Sequence, residues 1–218
     1  DALVAARVSL VNHVRSCYKS LGIMLPSGCD TGSFAKKVRE HLSEVDLALT
    51  LPVVATIENL SERIKGEDKR IEKIIIKEYP TARKLMSVPG VGPITALAFV
   101  LIIGSPERFK SARDVGPYLG LEPRRAQSGD EDKELRNSEC GNKMLRRLLV
   151  SCAQYILGAF GPPSALRGAG QRKMLSGAKV AKKKAVVMVA RKLGIMLLAL
   201  WKNPSHVYEP YPSCVTAA

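Results

Sequence analysis

The stretch Leu85-Met86-Ser87-Val88-Pro89-Gly90-Val91-Gly92-Pro93-Ile94-Thr95-Ala96 decides the fold. One proline and two glycines interrupt an otherwise apolar run that continues to Ile103. Glycine permits a tight reversal of the backbone, and proline suits the first position of a helix, so the stretch reads as helix, hairpin, helix. A helix that starts directly after such a turn presents backbone N–H groups, which can hold a DNA phosphate without reading base sequence. Gly90, Val91 and Gly92 are therefore candidate DNA contacts. The same pattern also serves as a plain packing hairpin buried by the aliphatic helix Pro93–Ile103.

Toward the N-terminus, Pro80 separates this region from a long helix expected over Pro52–Glu78. There Ile57, Leu60, Ile64, Ile71 and Ile74 keep the spacing of a coiled-coil seam. A first helix is expected over residues 1–21, with Val4, Val11 and Tyr18 seven apart and Val14 and Leu21 in the second seam position. A short helix, Ser33–Leu42, lies between them with Ser33 as its N-cap. The two narrow stripes predict a long helical hairpin or coiled-coil arm over residues 1–79, through which the chain forms a homo-oligomer. The alternative is that both helices pack back onto their own domain.

Toward the C-terminus, a helix started by Ser111 ends near Leu119, and a polar segment of unusual length runs from Leu121 to Cys140. It has room for a small hairpin and is either functional or mobile. Within it, Arg124-Arg125-Ala126-Gln127-Ser128-Gly129 sets a hydroxyl before a glycine and beside two guanidinium groups. Planar, permanently charged donors of this kind suit phosphate. An amphipathic helix over Asn142–Phe160 follows, with Lys143, Arg146 and Arg147 near its start, where positive charge opposes the helix dipole and a bound anion would offset it. Helices over Ser164–Leu175 and Ala178–Lys202 complete the chain. Lys182 and Lys183 near the start of the last one face either a phosphate or plain solvent. The expected fold is all-α: an arm, then a basic helical domain over residues 80–218.

The charge is distributed to match. Of the net +14, residues 1–80 contribute little, with 12 Lys/Arg against 11 Asp/Glu, whereas residues 81–218 hold 22 against 9. A basic domain with a nearly neutral extension predicts a polyanionic partner, nucleic acid first. The five cysteines form no CxxC pair and the three histidines are scattered, so no metal site is expected from these residues. Free thiols and a reducing compartment fit that usage. The aliphatic run Ile94–Ile103 is too short to span a bilayer, so no membrane partner is expected. The chain opens on Asp1 rather than Met and is expected to continue upstream.

Residues 85–96, Phe109, Tyr118-Leu119-Gly120-Leu121-Glu122-Pro123, Gln127-Ser128-Gly129, and Gly141-Asn142 with Leu145-Arg146-Arg147 together resemble the C-terminal transposase domain of the IS-one-ten group of bacterial insertion-sequence recombinases. The segment with Leu21-Gly22-Ile23 and Leu25-Pro26 is similar to the part that joins the two domains in that group. The resemblance implies that Ser128 is a nucleophile that attacks a DNA phosphodiester and becomes linked to it. It implies a separate N-terminal ribonuclease-H-like domain with four acidic ligands for Mg²⁺, which these residues do not include. It further implies a structured guide RNA and work in the bacterial cytoplasm, at the nucleoid. The competing reading is a non-catalytic DNA-binding and oligomerisation module, in which Ser128 is a turn residue.

Overall fold

The computed structural model describes residues 1–211 apart from 27, 29, 129–130, 139 and 177–179. For residues 123–137 it describes the backbone alone. The chain is helical, with one two-stranded hairpin, and divides into two compact units, residues 1–72 and 73–218.

The first unit holds α1 (Ala2–Ser20), α2 (Phe34–His41), α3 (Glu44–Ala48) and most of α4 (Leu51–Glu78), which runs on into the second unit. Ser43 caps α3, its hydroxyl accepting from the Asp46 N–H. Helix α1 and the start of α4 lie side by side and antiparallel. The Tyr18 hydroxyl shares a 2.6 Å hydrogen bond with the Thr50 hydroxyl, while Arg7, eleven residues earlier on α1, donates to Ser61 at 3.4 Å. Helix α2 closes the third side. Val11, Val14, Tyr18, Phe34, Val38, Val54 and Ile57 form one buried cluster. Arg15 stacks over the Phe34 ring at 5.2 Å, and Arg39 of α2 grips Glu58 of α4 through two hydrogen bonds of 2.7 and 2.9 Å.

The stripe residues Val11 and Tyr18 of α1 and Ile57 of α4 are thus spent inside the chain. The physical reason is α2, whose Phe34 and Val38 supply the third apolar side. The end of the stripe is different: Leu3, Val4 and Val8 are exposed, and Ile64 and Ile71 are half-buried.

The second unit contains α5 (Pro80–Leu85), α6 (Pro93–Ile103), α7 (Val115–Tyr118), the strands β1 (Pro123–Ser128) and β2 (Glu131–Asn137), and then α8 (Lys143–Leu157), α9 (Ala165–Met174) and α10 (Ala181–Lys202). Short 3-10 turns at Pro106–Arg108 and Ala112–Asp114 lead into α7, the second with a full capping box between Ser111 and Asp114. Helix α10 is the centre: Val189, Leu193, Leu197 and Leu198 are fully buried, and α5, α7, α8 and α9 all pack on it. Helices α8 and α10 run antiparallel, since Leu157 and Val189 meet at Gly170 while Leu149 lies at Gly194. Phe99 of α6 tilts against Trp201, and Phe109 meets Tyr118 edge to face at 5.3 Å.

Candidate functional site

The serine segment folds as an antiparallel hairpin rather than an open loop. Ser128 ends β1 and pairs with Glu131 across residues 129–130, and Arg125 stands opposite Glu134 with an irregularity in register between Pro123 and Arg125. The side chains of Arg124, Arg125 and Ser128 lie outside the described residues. Their backbone fixes the layout: Ser128 is at the tip, and six residues of β1 place it about 17 Å from the foot of the hairpin.

The foot is a narrow neck. Gly120 and Gly141 both adopt left-handed backbone, with φ of +66° and +80°. A side chain at Gly120 would enter the backbone of Cys140, and one at Gly141 would enter that of Tyr118. No residue but glycine fits both the conformation and the space. Above this crossing the Ser138 N–H donates to the Glu122 carbonyl at 2.9 Å, and the Glu122 carboxylate pairs with Arg191 of α10.

Arg146 completes the neck. One of its terminal nitrogens donates to the Leu119 carbonyl at 3.1 Å and to the Cys140 carbonyl at 2.8 Å. The structure therefore does not bring Arg146 to Ser128: one is at the foot of the hairpin and the other at its tip. Arg147 and Lys143 are exposed on the first turn and a half of α8, where Asn142 caps the helix by accepting from the Leu145 N–H at 3.0 Å. Lys182 and Lys183 are exposed on the first turn of α10. Because α8 and α10 are antiparallel, these two lysines lie about 18 Å up α10 from Gly194, the level at which it meets the first half of α8. The expected cations thus form two separated basic ends rather than one cluster around the serine.

The glycine turn between α5 and α6 packs inward. Gly90 has φ +89°, and a side chain there would come within 2.9 Å of the Tyr155 ring and 3.4 Å of the Cys152 carbonyl. Val91, a candidate DNA contact from sequence, has its side chain in the core. Gly92 is the N-cap of α6 with extended backbone and open space around it. Its N–H faces the Cys152 thiol, which donates in turn to the Thr95 hydroxyl at 3.6 Å. Burial pushes that thiol above its ordinary pKa, and the hydrogen bonds from Thr95 and Gly92 only partly oppose the shift. The geometry is that of a packing hairpin that docks α6 on α8.

Sequence reasoning missed a second use of positive charge. Lys84 donates to the carbonyls of Leu200, Asn203 and Pro204 and so caps α10, while Lys202 reaches the Phe109 carbonyl. Arg108 donates to the Ile103 carbonyl at 2.9 Å, and Arg167 to that of Gly161. With few acids in this unit, its long cations satisfy the carbonyls that end helices. Lys and Arg near a helix C-terminus were the readable signal, at Lys84 and Lys202. The partners of Arg146 were not readable, because they are brought to it by the glycine crossing.

Among the described residues no helix is long and apolar enough to cross a membrane. Residues 82–167 match the transposase IS116/IS110/IS902 family. The chain is similar to the transposase of insertion sequence element IS1328 from Yersinia enterocolitica, 31% identical over 165 residues that cover 72% of this chain and 47% of that protein. It is 28% identical to the transposase of element IS1111A from Coxiella burnetii over 72% of this chain and 44% of that protein. A pilin gene-inverting protein of Moraxella lacunata is 32% identical over 51% of this chain and 34% of that protein. The chain spans a little under half the length of the first two. The hairpin, its neck and the helices that carry them fall within the matched segment, and residues 82–167 belong to the transposase IS116/IS110/IS902 family.

Proposed function

We propose that this chain is the serine-bearing part of a DNA transposase, with Ser128 as the nucleophile that cleaves and rejoins strands. The observation that carries the reading is the hairpin itself, which holds the backbone of residue 128 at the far end of a six-residue strand rather than against the helical core. In the reaction the serine Oγ–P bond forms as one P–O bond of the DNA backbone breaks. The serine proton passes to a base, and the released sugar oxygen takes up a proton. Rejoining reverses the exchange, so phosphoester bonds are conserved and no external energy source is required.

The cationic residues divide the binding work. Lys143 and Arg147 at one end of α8, Lys182 and Lys183 at the start of α10, and Arg124 and Arg125 on β1 are the proposed phosphate contacts. Serine needs activation to attack. Among the described residues no three His, Cys, Asp or Glu side chains converge to hold a cation, so these residues do not fit the implied Mg²⁺ and no step is assigned to it here. A separate acidic domain as its holder, a guide RNA that selects the DNA, and action at the bacterial nucleoid remain parts of the proposal that rest on the family. Self-association is proposed through the exposed end of the first unit, where Leu3, Val4 and Val8 lie uncovered on α1.

The test is strand exchange by the full-length protein carrying Ser128→Ala. Loss of joining with DNA binding retained supports the nucleophile. Joining that persists reduces the chain to a DNA-binding and oligomerisation module.

A further inference from the structure

We propose that Arg146 is a positioning residue, whose guanidinium fixes the direction in which the serine hairpin projects, and that it is not a DNA contact. The part about direction stands on the neck alone; its consequence for strand cleavage rests on the proposed role of Ser128.

Three observations converge. First, the two carbonyls that Arg146 binds belong to the two ends of the same excursion: Leu119 leads into it and Cys140 leaves it. A single group therefore ties the entering and departing chain together and attaches both to α8. Second, the space for that group is made by the glycine crossing. A side chain at Gly120 would come within 2.9 Å of the Arg146 terminal nitrogen, as well as entering the Cys140 backbone. The glycine admits the guanidinium as well as the turn. Third, the hairpin has a separate attachment on its other side, the pair between Glu122 and Arg191 of α10. One attachment leaves a lever free to swing about it, whereas two attached to different helices define an angle.

The lever makes that angle matter. With the tip about 17 Å from the neck, a swing of roughly 10° moves residue 128 by about 3 Å. An error of ~1 Å in the placement of a reacting group costs on the order of 100-fold in rate. Arg146 is suited to the task and poorly suited to phosphate: both acceptors it faces are backbone carbonyls of its own chain, and engaging a phosphate would release them.

The experiment uses the whole chain with spin labels at positions 128 and 192, on a background in which Cys17, Cys29, Cys140 and Cys214 are replaced by serine and the buried Cys152 is kept. The pair measures tip against α10. The expected result is one narrow distance distribution for this background, and at least a twofold broadening in Arg146→Ala. Arg146→Lys, which keeps the charge but not the planar fork, serves where the alanine variant fails to fold, and broadens the distribution to a lesser degree. Circular dichroism confirms that the helices are intact in the variants compared. DNA affinity is then measured against salt. Arg146→Ala keeps the slope of the parent, whereas Arg147→Ala, a proposed phosphate contact, lowers it by about 0.9. An unbroadened distribution in folded Arg146→Ala, or a slope that falls as for Arg147→Ala, overturns the proposal. Neither readout involves strand cleavage, so an error about Ser128 would leave both standing and show itself separately in the Ser128→Ala exchange assay.

Discussion

Gly141 and Tyr118 meet backbone to backbone: a side chain on the glycine would run into the carbonyl oxygen of the tyrosine. With φ at +80°, Gly141 also sits where other residues are strained. Gly141→Ala should destabilise the second unit by about 1–3 kcal/mol from backbone strain alone, more with the clash. Gly92→Ala is the contrast, with φ −84° and nothing within 4 Å, and should change stability by less than about 0.5 kcal/mol. Chemical denaturation of both variants checks the pair. Because Gly92→Ala leaves the fold intact, DNA affinity measured on it also tests directly whether the turn backbone touches phosphate.

The first unit makes a prediction about where a lysine is tolerated. Val11 is fully buried among α1, α2 and α4, so Val11→Lys should unfold residues 1–72 and lose helical signal. Val4 lies at the exposed end of the same stripe, and Val4→Lys should keep the helical signal while weakening self-association. Circular dichroism and sedimentation separate the two outcomes. A Val11→Lys variant that stays folded and merely dissociates would restore the intermolecular coiled coil.

Stability on the acid side should depend on Glu58. The hydrogen bonds from Arg39 hold its carboxyl below the ordinary value of 4.5, with burial opposing weakly. A depressed folded pKa contributes stability that is present above 4.5 and lost as pH falls through the folded value. Denaturation of Glu58→Gln across that window should show a flatter acid limb than the parent. An unchanged limb would mean that the pair is screened to nothing by solvent.

The buried thiol gives a prediction of opposite sign. Burial raises the Cys152 pKa above its ordinary 9.0. A raised folded pKa leaves its stability intact below 9.0 and removes it as pH climbs through the folded value. Near that pH an alkylating reagent should modify exposed Cys140 at once and Cys152 only after denaturation, as read by peptide mass.

What the sequence made legible follows from where the physics is local. Helix α6 runs from Pro93 to Ile103 as its punctuation says, because a proline at the first turn and Gly104 after the last are signals that need no tertiary partner. Helix α4 begins at Leu51 and ends at Glu78 for the same reason, before Pro80. The five-residue α3 was not legible, since Glu44–Ala48 is too short to show a period. Whether α1 and α4 pair within the chain or between chains turned on Phe34 and Val38, which nothing in the stripe itself reveals. The length of Leu121–Cys140 marked it as special, but its strands, PRRAQS and EDKELRN, carry almost none of the β-branched or aromatic residues that announce a strand. Their pairing is a property of the backbone and the neck. Arg146 was read as a phosphate ligand because its charge is local information and its two carbonyl partners are not.

The central claim is that Ser128 bonds to DNA, and the most direct measurement is to quench a cleavage reaction of the full-length protein, digest the protein and DNA, and map the nucleotide-bearing peptide by mass spectrometry. The account predicts a phosphodiester remnant on Ser128, absent from the Ser128→Ala protein, with no other residue modified in the parent. Cleaved DNA with no remnant on Ser128, or a covalent complex that persists in Ser128→Ala, would contradict it.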